Sequence, residues 1–599
     1  MGPCSYQVFT DGTTTYAQNC STGSITYSGT LPEVVLNEAI NALASSGGTI
    51  FIKAGSYTFT TLPISLLGTS DKFAIGTDTV SNIELYGEGN STILTAGSGL
   101  NGGILGIGNV VGWYVHDLQI NGNRAQQSAG GSNAPGLIGI EAYQTSHVRI
   151  ERCYVRDNKT YGIFVIDHGY DTVSNNYLYD NLSNGLDIYA GPNGGGNDIV
   201  QGNIIVGTSD VGLDISGYSS SVYISNVICT GNVVEQPNIG LDPWGQNSGV
   251  GISAGDTGPV NNVTIANNEV YGAVYGISDG GNLASYPTSN VEILDNDIQL
   301  TTGYAIHANV YSSTTLIEGN YIGLPPASGK AMGIVTETTA PQTSIIGNEV
   351  SASSQSYDLL YIASPSTLIQ GNFLEGGGAT SIEIKSQSNN IVGNSMLNFG
   401  YAAIVLNPSV SGYTQVTDNY IETATGFNCI VVSSNDNTLS GNRLYSTGPG
   451  GFEIAAGAVG NIVTDNDVRN VTTPWQMQDG GAKTIIKNNA GYNPVGHVAN
   501  PFVSGGNYIL DSGGSASPVN KTTMTVWESP KMIMVTVATG GYGSPTTGST
   551  LVIQIDGTTV ISIEGPAAGV TYSYYLQPGQ TFYIQYHNTS DTTFIVSGE

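Results

Sequence analysis

Thirteen asparagines recur through the middle of this sequence at nearly the same point of a repeated phrase: Asn176, Asn203, Asn232, Asn268, Asn296, Asn320, Asn348, Asn372, Asn394, Asn419, Asn442, Asn466 and Asn488. Two residues on comes an apolar side chain (NYL, NII, NVV, NEV), or Ala490 at the last. Successive spacings run from 22 residues (Asn466 to Asn488) to 36 (Asn232 to Asn268). Such a period belongs to a solenoid, in which each repeat buries its apolar face only by stacking on its neighbours. An amide kept at one corner of every coil can bond the next coil's turn, so the asparagines are expected to form a ladder that satisfies buried polar groups. The stretches between them, YGIFVI, NGLDIY, VGLDIS, YAIHAN, TSIEIK and AAIVLN, alternate as strands do. The expected fold class is therefore all-β, a parallel β-helix.

Of the 599 residues only 10% are charged, 45 acidic against 15 basic, for a net charge of −30. Apolar content is 39%, enough for a core. So acidic a surface disfavours nucleic acid and anionic membranes as partners, and leaves neutral glycans or a cation-bridged acidic polymer. No apolar run is long enough to span a membrane, and the opening MGPCSYQVF is not a secretory signal. Of five cysteines, Cys4 and Cys20 bracket the first hairpin-like stretch and can pair in an oxidising compartment. Cys153 takes the asparagine's place in one earlier coil (CYV) and is expected to face the core. The setting this suggests is extracellular or on a virion surface.

Residues 1–49 read as short strands followed by a helix that opens at Leu31-Pro32, runs to about Ser45 and stops at Gly47-Gly48. Its apolar positions Val35, Leu36, Ala39, Ile40 and Leu43 fit a helical period, and such a helix would cap the open end of the coil core. Residues 50–495 are the β-helix, beginning at GGTIFIKAGSYTF; 496–502 form a linker. From 503 to 599 the texture changes to TMTVW, KMIMVTVA, STLVIQI and VTYSYYL between Gly- and Pro-rich turns, a small antiparallel β-sandwich.

The run AINALASSGGTIFIKAGSYTF resembles the opening helix and first coil of the pectate-lyase-like superfamily, and the asparagine-marked GI-x-V strands resemble its repeats. The resemblance implies a right-handed parallel β-helix with an N-terminal capping helix over roughly residues 30–495. It implies a choice among polysaccharide hydrolases, lyases, epimerases, tailspike depolymerases and non-catalytic adhesins, which fold alone does not make. The junction NNAGYNPVGHVANPF and the terminal sandwich resemble the tail-end module of archaeal and phage-associated β-helix proteins, which hints at an archaeal or viral, thermophilic source.

In a strand alternate residues face out. With the apolar members inward, one outward column reads Glu141, Phe164, Asp187, Asp214, Ser253, Ser278, His307 and onward to Glu453 and Gln476; a second reads Tyr143, Ile166, Tyr189, Ser216. Asp187 and Asp214 fall in register on successive coils, which places their Cα atoms about 4.8 Å apart. Asp210 enters the second of these strands, while Asp167 and His168 leave the one before. Carboxyls this close cannot both ionise freely, so one is held as an acid beside a base. That is the equipment of glycoside hydrolysis. The candidate catalytic residues are thus Asp187, Asp214, Asp210, Glu141 and His168. Tyr143, Tyr189, Trp244 and Asp167 are the candidate substrate contacts, the aromatic rings stacking on sugar faces.

Polygalacturonase-type hydrolases are similar in carrying aspartates on neighbouring coils, but their His-Gly and Arg-x-Lys signatures are missing. NGLD is similar to the Asp-bearing coil of mannuronan C-5 epimerases, whose Tyr-Gly-Phe-Asp-Pro-His motif survives only as fragments around Tyr161, Asp167, His168 and Asp242. Three readings follow. The first is a glycoside hydrolase that cleaves polysaccharide and needs no cofactor or metal. The second is a uronate lyase or epimerase with Ca²⁺ on the acidic stack. The third is a glycan-binding adhesin or tail-fibre protein, monomeric or homotrimeric.

Overall fold

In the computed structural model, residues 4–492 are described apart from residue 45 and a set of short segments, the longest being 129–136 and 238–247; beyond residue 507 the description is confined to strands. The expected linker at 496–502 lies outside the described residues. The chain forms two compact units, 1–368 and 369–599.

The first unit opens with the antiparallel strands Tyr6–Thr10 and Thr15–Asn19, closed by a Cys4–Cys20 disulfide. Helix α1 (Pro32–Asn41) follows, shorter than expected, with proline in its first turn. Val35, Leu36, Ala39 and Ile40 bury one face of it. Two buried polar residues on the helix tie it to the coils. Glu33 accepts hydrogen bonds from Thr60 N (2.9 Å) and Thr61 N (2.8 Å). Asn37 bridges the backbone of Ala74 and Gly76, at 2.9 and 3.0 Å. The helix thereby satisfies strand-end groups that an open solenoid end would leave unpaired.

From there the chain winds as a right-handed parallel β-helix, each coil giving one strand to each of three parallel sheets. Val155, Leu178, Ile205 and Val234 show the stacking: register partners in succession, each 0–1% exposed. The asparagines of this unit, from Asn176 to Asn348, stand at the corner between two of the sheets and are buried. Asn203 Nδ2 donates to Asn232 Oδ1 (2.9 Å) and to Val173 O (2.9 Å), while its backbone N–H donates to that same Oδ1 (3.0 Å). The pattern repeats through Asn268, Asn296, Asn320 and Asn348. Cys153 fills the first rung, its N–H donating to Asn176 Oδ1. A shorter ladder joins Asn158 to Asn181 (2.9 Å), a pair the repeat phrase does not mark.

In the second unit the same three-strand coils continue to residue 492, with the ladder running from Asn372 to Asn394, Asn419, Asn442 and Asn466. Its last rung is Asn489, not Asn488: Asn466 donates to Asn489 Oδ1 at 2.9 Å, while Asn488 turns the corner in left-handed conformation. The outward column is likewise off by two at its end, since Glu453 pairs with Gln478 rather than Gln476. Beyond residue 507 the strands form two four-stranded antiparallel sheets.

Candidate functional site

Five strands of one sheet of the first unit carry the candidate residues: β1 (Ile140–Thr145), β2 (Ile163–Asp167), β3 (Leu186–Ala190), β4 (Val211–Ser216) and β5 (Val250–Ala254). The register is the one the alternation implies. Glu141, Phe164, Asp187, Asp214 and Ser253 are successive partners, as are Tyr143, Ile166, Tyr189 and Ser216. Leu186, Ile188, Leu213 and Ile215 point into the core between them.

Although they alternate with core residues, Asp187 and Asp214 are fully buried. Asn184 donates to Asp187 Oδ1 (2.9 Å) and accepts from Val211 N (3.1 Å), which ties the carboxyl to the next coil. Ser216 Oγ donates to both oxygens of Asp214, at 3.1 and 3.0 Å. Two more carboxyls approach from the coil edges. Asp210, half-buried before β4, accepts from Ser248 Oγ. Asp256, part-exposed, follows β5. The turn at Gly255 (φ +93°, open to glycine) folds Asp256 and Thr257 back, so that Thr257 Oγ1 donates to the Tyr189 hydroxyl (2.6 Å) and Thr257 N to Ser216 Oγ (3.3 Å). Asp256 was not apparent in the sequence; the only signal was the turn phrase GDTGP.

Four carboxyls thus crowd one place. Burial, and then the charge of Asp214, raises Asp187 well above the ordinary carboxylate range; burial, and then Asp256, does the same to Asp214. Burial, reinforced by Asp210, pushes Asp256 up to about 6. The Tyr189 hydroxyl is raised by burial and by Asp214 and Asp187.

Glu141 lies two strands from Asp187, about 9.6 Å along the column. It belongs to a second pair. Burial, then Asp71, raises Glu141 well above its ordinary value, and the two carboxyls share a hydrogen bond. Asp71 comes from the segment that also covers Tyr143, whose hydroxyl donates to Gly68 O (2.9 Å). This segment bore no motif. Between the two acid groups lie Tyr161, Phe164 and Tyr189. The Tyr161 and Phe164 rings are 4.8 Å apart, and Phe164 meets Tyr189 edge-on at 5.3 Å.

Asp167 and His168 are placed elsewhere. Asp167 is fully buried and faces Asp198 and Asp171, so no ligand on the site face touches it. A register shift after Tyr143 sets it opposite Thr145. His168 is exposed at the corner beyond, beside Gly191. Trp244 lies outside the described residues. Among the described residues no group of three or more His, Cys, Asp or Glu side chains is disposed to hold a metal ion.

Residues 77–194 match the family model of the right-handed β-helix region. No curated protein sequence matches the chain significantly. Among solved structures, the tailspike protein of Escherichia coli bacteriophage HK620, in complex with a pentasaccharide, is 12% identical, with 95% of this chain and 90% of that one covered at a TM-score of 0.47. The A-module of the Azotobacter vinelandii mannuronan C-5 epimerase AlgE4 is 14% identical, covering 76% and 96% at a TM-score of 0.32. A capsular polysaccharide depolymerase, the tailspike gp49 of Acinetobacter baumannii bacteriophage Fri1, is 12% identical, covering 94% and 81% at 0.28.

Proposed function

We propose that the protein is a polysaccharide-cleaving glycoside hydrolase, acting outside the cell or from a virion surface. The observation that carries this reading is the convergence of Asp187, Asp210, Asp214 and Asp256 from neighbouring coils, two of them part-exposed beside Tyr189. Asp256 is the general acid: it reaches solvent and holds its proton to about pH 6. Asp210 is the carboxylate that acts as base or nucleophile. Asp187 and Asp214, lying behind with no exposed surface, are positioning residues that hold protons. The paired-carboxyl mechanism read from the sequence is kept, with its roles moved to the members that a sugar can reach. The Cys4–Cys20 disulfide supports the oxidising setting.

The test is a reducing-end assay against a broad glycan panel, with ultraviolet absorbance read in parallel and chelator added in half the samples. New reducing ends without absorbance are expected, lost in Asp256→Asn. Unsaturated product that disappears in chelator would replace this reading by a Ca²⁺-dependent lyase, and retention of glycans with no cleavage would replace it by an adhesin.

A further inference from the structure

We infer that Tyr161, Phe164 and Tyr189 form a stacking subsite for an uncharged sugar ring, on a glycan that runs along the coil-stacking direction from Asp71–Glu141 towards Asp210–Asp256. The inference rests on the glycan-active reading of this face and adds the class of substrate and its path.

The three rings are part-exposed on the outward side of the sheet. They pack against Leu66, Phe73, Ile138, Tyr143 and Ile166, all buried. A platform fixed in this way loses little freedom when a ring settles on it, and apolar sugar faces stack on such surfaces. Phe164 is the register partner of Glu141 on one side and Asp187 on the other, so the platform lies midway between the two acid groups. A chain following the strands would meet one group; a chain following the column meets both. From Glu141 to Asp214 the column covers three strand spacings, about 14 Å.

Glu141 Oε2 and Asp187 Oδ2 are buried with no hydrogen-bond partner. Both are closed off from solvent, so a sugar on the platform meets the part-exposed Asp210 and Asp256 rather than these carboxyls. Among the described residues no ion pair involves Asp71, Glu141, Asp187, Asp214 or Asp256. Burial already holds Glu141, Asp187 and Asp214 in their neutral forms, and a uronate carboxylate brought onto the same face would meet the same desolvation cost, which an uncharged ring avoids. The site therefore selects neutral sugars.

Affinity electrophoresis of the full chain tests this with galactomannan, xylan, β-glucan and dextran as neutral probes, and polygalacturonate and alginate as charged ones. Asp256→Asn is run beside the wild type so that cleavage does not mask binding. Retardation by a neutral polymer is expected, weakened at least tenfold in Phe164→Ala and kept in Phe164→Trp, with the uronates leaving mobility unchanged. Stronger retardation by a uronate, equal binding in Phe164→Ala, or no retardation by any polymer overturns the inference. Neutral binding that depends on Phe164, with no reducing ends released by the wild type, upholds the subsite while it removes the hydrolase reading.

Discussion

Asp187 and Asp214 are register partners on neighbouring parallel strands, and neither side chain has any exposed surface. Both hold protons in the folded state that they release in the unfolded chain near pH 4. The folded state therefore binds more protons than the unfolded one above that pH, and stability falls as pH rises. Each such group costs about 1.4 kcal/mol per pH unit across the window between its two values. Asparagine has the shape of the protonated acid and cannot ionise. Asp187→Asn is expected to flatten the decline between pH 5 and 7.5, read from urea midpoints. Parallel pH slopes for variant and wild type would show that Asp187 ionises freely.

The catalytic roles make a separate prediction. A general acid must be protonated, so the turnover of the wild type is expected to fall as pH rises through about 6, the value to which burial and Asp210 push Asp256. The apparent value belongs to the coupled group as a whole. Asp256→Asn is expected to lose at least a hundredfold in kcat, with a melting temperature close to that of the wild type because the side chain is part-exposed. An unaltered pH–rate profile in that variant would take Asp256 out of the mechanism.

A second acid cluster acts on stability alone. Asp171 Oδ1 accepts from Val148 N (2.7 Å), and Asp198 Oδ1 accepts from Asp171 N (2.9 Å), the same geometry as the asparagine rungs. Asp167 faces Asp198, and a proton shared between the two carboxyls links them. Burial raises Asp171 to about 8 and, together with Asp198, Asp167 to about 11. Because these values are raised, stability is full below about pH 4 at this corner and is lost progressively up to pH 8 for Asp171 and further for Asp167. Asp171→Asn keeps the acceptor for Val148 and is expected to raise the melting temperature at pH 8 while leaving it unchanged at pH 4. A rise of equal size at both would point to packing rather than titration.

The repeat phrase made the coils legible because a buried amide must be satisfied in every turn. The column from Glu141 through Phe164 to Asp214 was legible because a period of two admits only one inward set. What escaped was tertiary. Asp256 and Asp71 arrive from turns and loops, and their place depends on the Gly255 turn and on the Tyr143–Gly68 hydrogen bond, which no local pattern encodes. Alternation says that Asp187 faces away from the core, but not that a second layer buries it. Asp167 follows Ile166 in the alternation and so falls on the inward set with Val165, opposite the buried Ala190.

The end of the ladder offers the last test, since Asn488 and Asn489 are neighbours that sequence alone does not tell apart. Asn489 is buried; its Oδ1 accepts from Asn466 N (3.0 Å) and Asn466 Nδ2 (2.9 Å), and its Nδ2 donates to Val463 O and Lys487 O, both at 3.0 Å. Truncation to alanine leaves the Asn466 N–H without its side-chain acceptor and takes one donor from the Val463 carbonyl, and a buried orphan costs about 1–3 kcal/mol. Asn488 is exposed, with φ +54°, a conformation that glycine adopts freely. Asn489→Ala is therefore expected to cost about 2–4 kcal/mol by denaturant unfolding, and Asn488→Gly to be nearly neutral. Hydrogen exchange at the Asn466 amide gives the local readout: it is expected to quicken in Asn489→Ala alone, and the opposite ranking would return the terminal rung to Asn488.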